Sequence, residues 1–327
     1  MLKFSVVIPT CNRPRYLERC LASLRREAGY DQSMDVIVVD DGSHTANALR
    51  VRTLCEYFGT KCAGDGRNHG MAVARNLGIA ASQGEWIVFL DDDVTCDAGW
   101  FGELRNAVVS FTPDVVAFEG RVNPSGGGVW DREVQNFSGG ACLTSHFGVR
   151  RMTVDQCGMF DPYFEYTGPY CEDHEFAVRL QRCGTIAFVA SCSVTHAPRE
   201  VPLLRYLFSA PERCRKLLLS DRYFYEKHPD GYRRFRYHPT FEATCRSYRF
   251  RHVVDVLRRR KVSVLLRHPF QTVILLLAAL TEQISAWVLH RAITEVRFDN
   301  SAAQDKKELD AAMENTYTTR ITTKTDR

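Results

Sequence analysis

Two short and almost continuously apolar runs in this chain end directly in clusters of acidic residues. Val36 to Val39 leads into Asp40-Asp41-Gly42-Ser43, and Trp86 to Leu90 leads into Asp91-Asp92-Asp93. Segments with apolar residues at helical spacing separate these runs. Strands that are apolar on both faces and alternate with helices are typical of a parallel sheet covered on both sides. We therefore expect a doubly wound α/β fold over about the first hundred residues.

Both acidic clusters fall at the carboxyl ends of predicted strands, the edge where sheets of this kind bind ligands. Asp91 and Asp93 would repel each other at the end of a buried strand unless a cation lay between them. Carboxylate oxygens suit Mg²⁺ or Mn²⁺, and such an ion also holds a diphosphate. An acidic loop before the next helix, with Asp97 as a plausible helix cap, is the alternative interpretation.

The charge of the chain is concentrated in one segment. The 327 residues, 45% of them apolar, can bury one large core with a smaller appendage. The net charge is only +4, but Arg205 to Arg267 holds 17 Lys and Arg against 6 Asp and Glu. Such a segment favours a membrane surface, a lipid phosphate or nucleic acid. We predict a basic, helical, membrane-associating extension over residues 201–297 and a polar, solvated tail over residues 298–327.

One segment, Phe270 to Leu289, is apolar enough to be considered for a membrane helix. Its longest apolar run, Val273 to Leu280, is followed by Glu282 and Gln283. The segment is therefore too short and too interrupted to be predicted as a transmembrane helix. We expect a helix that lies in the membrane interface with its polar positions outward, next to anionic lipid. A spanning or re-entrant helix and a buried core helix remain open.

Twelve cysteines are scattered through the chain, without a Cys-x-x-Cys pair. Together with the lack of a secretory leader before Pro9, they predict free thiols in a reducing compartment. We therefore expect the protein in the cytoplasm, peripheral on the inner face of the cell membrane.

Five motifs follow one another between residues 4 and 197. They are Val6 to Arg13 (VVIPTCNR), Val38 to Ser43 (VVDDGS), Gly70 to Gly78 (GMAVARNLG), the aspartate triplet, and Cys157 to Asp161 (CGMFD) followed by Glu172-Asp173. Together they resemble glycosyltransferase family 2, whose members have the GT-A fold. The resemblance implies a GT-A domain over residues 1–200, with a Rossmann-like nucleotide-binding half fused to an acceptor-binding half. It also implies a metal-dependent, inverting, hexosyltransferase-like enzyme that uses a nucleotide diphosphate sugar.

The resemblance assigns donor contacts at the carboxyl edge of the sheet. They fall to Pro9, Thr10, Asp41, Arg75, Asp91 and Asp92. Asp40 is the second choice to Asp41, which alternatively forms a turn with Gly42. Arg75 is expected at the base or the diphosphate, with a plain surface cation as the alternative.

A divalent ion, Mn²⁺ or Mg²⁺, is implied at the aspartate triplet. The resemblance assigns Asp91 and Asp93 to the metal, and His196 resembles a position that reaches the metal or the diphosphate. An ordinary structural histidine is the other interpretation of His196.

Glu172-Asp173 lies where the family keeps its catalytic base, and the resemblance favours Asp173. It would take the proton of the acceptor hydroxyl, so that the product configuration is inverted. Without the family, an acidic pair is typical of the first turn of a helix. Arg179 either pairs with an acidic residue or packs on its helix. The glycine-rich stretch from Asn123 to Trp130 is a candidate acceptor-side lid or a plain surface loop.

The acceptor is expected to be a glycan or a lipid-linked molecule, in cell-surface polysaccharide or lipid-linked glycan synthesis. The basic segment from Arg205 to Arg267 favours membrane association, and hence a lipid-linked acceptor. Nothing in the sequence selects the sugar, because no motif fixes the side chains that recognise it.

Other functions compete with this one. Val88 to Thr95 also fits a haloacid dehalogenase-type phosphatase with Asp91 as nucleophile and Asp93 as acid/base, but no downstream Gly-Asp-x-x-x-Asp motif follows. A nucleotidyltransferase is another possibility, but the glycine-rich phosphate loop of that class is absent near Pro9 in this sequence. Arg233 to Arg251 mixes arginines with aromatic residues, as a non-catalytic binder of membranes or single-stranded nucleic acid would. The intact acidic set favours an enzyme, and we expect no nucleic-acid partner.

Overall fold

The computed structural model describes residues 3–27, 33–126, 134–168, 170–197, 202–236, 238–258 and 262–295. The strands are β1 (Phe4–Thr10), β2 (Met34–Asp40), β3 (Lys61–Ala63), β4 (Trp86–Leu90), β5 (Val94–Cys96), β6 (Val115–Pro124), β7 (His146–Arg150) and β8 (Thr185–His196). The helices of the α/β part are α1 (Pro14–Arg25), α2 (Thr45–Phe58), α3 (Met71–Ala81), α4 (Trp100–Ser110), α5 (Arg151–Cys157), α6 (Phe164–Thr167) and α7 (Glu172–Cys183). Those that follow are α8 (Leu203–Phe208), α9 (Ala210–Lys227), α10 (Pro229–Phe235), α11 (Phe241–Arg258), α12 (Val262–Arg267) and α13 (Pro269–Glu295).

The described strands form one sheet in the order β3-β2-β1-β4-β7-β6-β8-β5. β1 runs parallel to β2 and β4, and β2 runs parallel to β3, as predicted for the first hundred residues. β7 is antiparallel to both β4 and β6, and β8 is parallel to β6. The sheet is therefore mixed beyond β4. The carboxyl ends of β1, β2 and β4 meet at one edge.

Helices cover both faces of this sheet. All seven residues of β1 are buried, and they alternate between two cores because successive strand side chains point to opposite faces. Val6 and Ile8 pack with Leu17 of α1 and Trp100 of α4. Val7 packs on the other face with residues of α3, α5 and α7. The predicted layering of the α/β part is confirmed.

The start of α4 differs from the prediction. Gly99 is the N-cap residue, with a φ of 83°, and Asp97 makes no side-chain cap. Its carboxylate instead accepts from Ser193 Oγ at 2.5 Å, Thr195 Oγ1 at 2.8 Å and Asn123 Nδ2 at 3.1 Å. The expectation that Asp97 caps the helix is wrong because β8 offers its carboxylate two donors and β6 offers a third.

Four of the described helices after β8 (α8, α9, α11 and α12) pack against α13, so the predicted helical extension is confirmed. Cys214 and Leu218 of α9 and Cys245 of α11 form a core with Ala286 and Ile293 of α13. Of the described helices, α13 contains the one stretch, Pro269–His290, that is long and apolar enough to cross a membrane by length and composition.

Two polar residues of α13, Glu282 and Gln283, face the protein interior. Glu282 accepts from Arg213 Nη2 of α9 at 2.7 Å and lies 2.7 Å from His252 Nε2 of α11. Gln283 Oε1 accepts from the backbone N–H of Val253 at 3.2 Å. The expectation that the polar positions turn outward is wrong, because α9 and α11 supply partners on the inner side. Two predicted segments lie outside the described residues: residues 127–130 of the glycine-rich loop, and the tail of residues 298–327.

Candidate active site

The aspartate triplet is tied to the end of β1 through its middle residue. Pro9 and Thr10 are the last residues of β1 and are buried. Thr10 Oγ1 donates to Asp92 Oδ2 at 2.6 Å, and Arg13 Nη2 lies 2.5 Å from Asp92 Oδ1. Burial raises the pKa of Asp92 to about 7. Asp92, predicted to contact the donor, is fully buried behind Thr10 and Arg13.

The other two carboxylates of the triplet lie beside His196. One possible ligand atom from each of Asp91, Asp93 and His196 falls within 4.8 Å of the others. β5 pairs with the end of β8, with Val94 opposite His196, and this pairing brings the histidine to the triplet. His196 Nε2 lies 3.1 Å from Asp93 Oδ1. The structure thus assembles the three residues that the sequence proposed as metal ligands.

The donor set of this cluster suits a divalent ion. Oδ1 of Asp91 is buried and has no hydrogen-bond donor, and Oδ1 of Asp93 lies 3.1 Å from Nε2 of His196. Buried polar atoms without partners are costly, and a cation beside these two oxygens and Nε2 would satisfy all three. Nδ1 of His196 donates to the Ala197 carbonyl at 2.8 Å, which leaves Nε2 as the ligating nitrogen. Two carboxylates and one imidazole fit Mn²⁺ or Mg²⁺.

The end of β2 holds the loop that leads into α3. The carboxylate of Asp41 accepts from the backbone N–H groups of His69 at 2.7 Å and Gly70 at 3.0 Å. The turn itself belongs to Asp40, whose Oδ1 accepts from the backbone N–H of Ser43 at 3.0 Å. Asp41 is therefore a buried loop anchor at the carboxyl edge of the sheet, which is where the sequence predicted the nucleoside to bind.

Arg75 lies inside the site, between the triplet and α7. Its side chain is 4% exposed. Nη1 donates to Glu172 Oε1 at 3.1 Å, and Nη2 lies 3.8 Å from Asp91 Oδ1. The interpretation of Arg75 as a surface cation is wrong. The guanidinium connects the metal side of the site with the acidic pair, and its buried Nε has no hydrogen-bond partner.

The acidic pair begins α7. Glu172 is bound by Arg75 through Oε1, while its buried Oε2 has no hydrogen-bond donor. Asp173 Oδ1 accepts from the backbone N–H of His174 at 2.8 Å. Burial raises the pKa of Asp173 to about 6. A carboxylate with this pKa is deprotonated at neutral pH and is matched to proton transfer there.

A paired carboxylate one turn later supports α7. Glu175 is fully buried and binds Arg179 at 2.8 Å, Lys227 Nζ at 2.8 Å and His228 Nε2 at 3.0 Å. Despite burial, these donors hold the pKa of Glu175 well below its usual range. Of the two possibilities for Arg179, pairing with an acidic residue is the correct one, and Nη1 also donates to the Cys157 carbonyl at 2.7 Å.

The helical extension reaches the neighbour of Asp173. Arg236, just after α10, places Nη1 3.1 Å from Nδ1 of His174, whose ring stacks on Phe235 at 4.7 Å between centroids. Burial lowers the pKa of His174 to about 3, so the neutral ring accepts this hydrogen bond.

Two residues at the site were not singled out by the sequence analysis. Arg13 bridges Asp92 and Asp93, the latter at 2.6 Å. Glu165 of α6 accepts from the backbone N–H of Ala72 at 2.7 Å, and burial raises its pKa to about 7. Arg13 is the last residue of the Val6 to Arg13 motif, so the sequence could have indicated that it lies at the site. Glu165 lies in no motif.

Comparisons with known proteins agree with this geometry. Residues 5–167 match the family model described as glycosyl transferase family 2. The pre-mycofactocin glycosyltransferase of Mycobacterium tuberculosis is 37% identical over 117 residues, which cover 35% of this chain and 22% of that protein. The poly(ribitol-phosphate) beta-N-acetylglucosaminyltransferase TarS of Staphylococcus aureus is 30% identical over 94 residues, 28% of this chain and 16% of that protein. The chain thus spans about a fifth of the length of these curated relatives.

Solved structures share the fold. TarS 1-349 of S. aureus in complex with UDP-GlcNAc has a TM-score of 0.59 at 15% identity, over 91% of this chain and 94% of that one. The mannosyltransferase PcManGT from Pyrobaculum calidifontis, in complex with GDP-Man and Mn²⁺, has a TM-score of 0.53 at 17% identity, over 88% and 86%. The predicted GT-A fold is confirmed.

Proposed function

Because residues 5–167 belong to glycosyltransferase family 2, we propose that the protein transfers a sugar from a nucleotide diphosphate sugar to an acceptor hydroxyl with inversion. One observation carries the proposal: the buried guanidinium of Arg75 links Asp91, at 3.8 Å, to Glu172, at 3.1 Å. A metal-side carboxylate and an acidic pair are thereby held on opposite sides of one cation. This arrangement suits a donor diphosphate at one end of the guanidinium and an acceptor hydroxyl at the other.

On the donor side, Asp91, Asp93 and His196 would hold Mn²⁺ or Mg²⁺. Such an ion supplies charge stabilisation for the departing diphosphate. Pro9, Thr10 and Asp41 line the edge where the nucleoside would bind, and Arg75 offers a buried cation to the diphosphate. The complexes of similar folds with GDP-Man and UDP-GlcNAc support a donor of this class.

On the acceptor side, Asp173 accepts the proton of the acceptor hydroxyl. The hydroxyl oxygen forms a bond to the anomeric carbon while the bond from that carbon to the diphosphate oxygen breaks. The proton remains on Asp173 and the nucleoside diphosphate leaves from the opposite face, so the configuration is inverted. Glu172, already bound to Arg75, has its accepting capacity partly used and is the weaker candidate for the base.

We further propose a glycan or lipid-linked acceptor, in cell-surface polysaccharide or lipid-linked glycan synthesis. The protein would work in the cytoplasm, on the inner face of the cell membrane. The basic segment and the apolar helix α13 support a membrane location.

Calorimetry with UDP and GDP tests the donor side. In the Asp91→Ala, Asp93→Ala double variant we expect nucleoside diphosphate binding to be lost, because the ion that holds the diphosphate has lost both carboxylates. Wild type should bind with Mn²⁺ and not with a chelator. Asp35→Ala, which removes a surface aspartate paired with Lys61, is the matched control and should bind normally. Equal affinity in chelator and in Mn²⁺ would contradict the metal site.

A further inference from the structure

The outward face of α13 is apolar along most of its length. Its exposed large side chains recur at spacings of three or four residues, with one adjacent pair, and are 44–66% exposed: Phe270, Val273, Leu277, Leu280, Ile284, Trp287 and Val288. We call these seven residues the α13 stripe. At 1.5 Å per residue the stripe is about 27 Å long. Single exposed apolar residues are ordinary, but a contiguous stripe marks an interaction surface.

The opposite face of α13 is already occupied. Ala278, Ala279 and Ala286 are buried against the helical extension, and Glu282 is paired inside it with Arg213 and His252. A helix that crossed a bilayer on its own would have to break these pairs and bury the charges in lipid. The geometry therefore favours a helix that lies flat, with one side on the protein and the other available to a partner.

The helices next to α13 carry exposed basic residues. α11, which packs against α13, exposes Phe250 and Val254 together with Arg246, Arg251 and Arg258. Exposed Arg267 ends α12, two residues before α13 begins. Apolar side chains flanked by arginines match a bilayer surface, whose acyl chains take the former and whose anionic headgroups attract the latter.

We propose that the α13 stripe docks in the plane of an anionic lipid bilayer, with the arginines of α11 and Arg267 at the headgroups. A second copy of the chain is the less suitable occupant, because a symmetric contact would bring two basic rims together. The proposal deepens the membrane part of the proposed function and rests on it. Sugar transfer and nucleotide binding are independent of it.

Trp287 provides a direct probe. It lies in the stripe and is 62% exposed, Trp86 and Trp100 are buried, and Trp130, which lies outside the described residues, is replaced by Phe in the protein used for this experiment. With full-length protein and vesicles of phosphatidylcholine and phosphatidylglycerol, we expect a blue shift of tryptophan emission and quenching by brominated acyl chains. Both signals should be absent in Trp287→Phe, which still binds. Binding should weaken with added salt and with phosphatidylcholine alone.

A Leu280→Ser, Ile284→Ser variant should reduce vesicle affinity by about tenfold or more, since two apolar side chains that contact the acyl chains in the bound state are lost. The matched control is Leu49→Ser, Val109→Ser, which alters exposed apolar residues of α2 and α4 and should bind like wild type. UDP or GDP affinity should be unchanged in both, which verifies folding and separates this test from that of the catalytic proposal. Unchanged vesicle binding in the stripe variant would overturn the proposal. So would a dimer, seen by sedimentation, that the stripe variant dissolves while vesicles do not bind.

Discussion

Carboxylates are buried both at the sheet edge and at the junction between α7 and the helical extension. The two regions differ in how far these carboxylates are paired with donors. At the sheet edge, one buried oxygen of Asp91 and one of Glu172 have no hydrogen-bond donor. At the junction, Glu175 is paired with Arg179, Lys227 and His228. Unpaired buried groups lower stability and persist where a ligand satisfies them, whereas paired ones hold elements together. The same residue type thus has oxygens open to a ligand in one region and holds helices together in the other.

The contrast is sharpest on α7, where Asp173 and Glu175 are two residues apart. Asp173→Asn keeps the shape of the side chain and removes the proton acceptor. We expect transfer to fall by about 10² to 10⁴, the usual contribution of a positioned general base. Donor affinity and the urea midpoint should hardly change. Transfer rate, calorimetry and urea unfolding of one preparation measure all three.

Glu172→Gln is the comparison for this variant. If Asp173→Asn transfers normally and Glu172→Gln is inactive, the base is Glu172. If both transfer normally, the mechanism is wrong. A large loss of stability in Asp173→Asn would remove the distinction between the two regions.

Glu175→Gln should have the opposite effect. It leaves Arg179, Lys227 and His228 without their common carboxylate, and removing one partner of a buried ion pair costs about 3–5 kcal/mol. We expect the free energy of unfolding to fall by this amount in urea titrations. Nucleoside diphosphate affinity should persist at low temperature, where the protein remains folded. Wild-type stability in Glu175→Gln would show that the junction is not held by this cluster.

The smallest effect is on pH dependence, where the two carboxylates should separate. Because the pKa of Asp173 is raised to about 6, transfer should fall about tenfold per pH unit below that value, as the base becomes protonated. The folded pKa of Glu175 is depressed, so its stabilisation is present above the unfolded value of about 4.3 and is lost as the pH falls toward the folded pKa. Activity should therefore decline while the protein is still folded. Coincident loss of transfer and of circular dichroism would contradict this order.

The nucleotide-binding half was the most predictable part. Its strands are short apolar runs and its acidic clusters follow them directly, so local pattern alone placed Asp41 and Asp91 at one edge. His196 is different, because its position beside Asp93 depends on the pairing of β5 with β8, and only the family resemblance suggested it. The domain limits of 200 and 297 remain predictions.

Faces of helices were harder to predict than their existence. The segment around Glu282 was correctly identified as apolar and helical, yet the direction of its polar residues was wrong. Periodicity shows that a helix has two different faces. Which face of α13 is buried depends on its packing against α9 and α11, which are distant in sequence. Likewise, Asp97 was predicted to cap a helix, but its carboxylate accepts hydrogen bonds from Ser193 and Thr195 of β8, which is distant in sequence.

The distribution of the site along the chain has a consequence for biosynthesis. Arg75 and Glu172 are 97 positions apart, and His196 follows both. Domains begin to fold during synthesis, and contacts between distant residues form slowly. A nascent chain that has passed β4 already displays the aspartate triplet, but the histidine reaches it only after residue 196 has left the ribosome. The proposed cation site is thus completed late, when the rest of the sheet is in place, and a chain stopped short of β8 has the two carboxylates without the histidine.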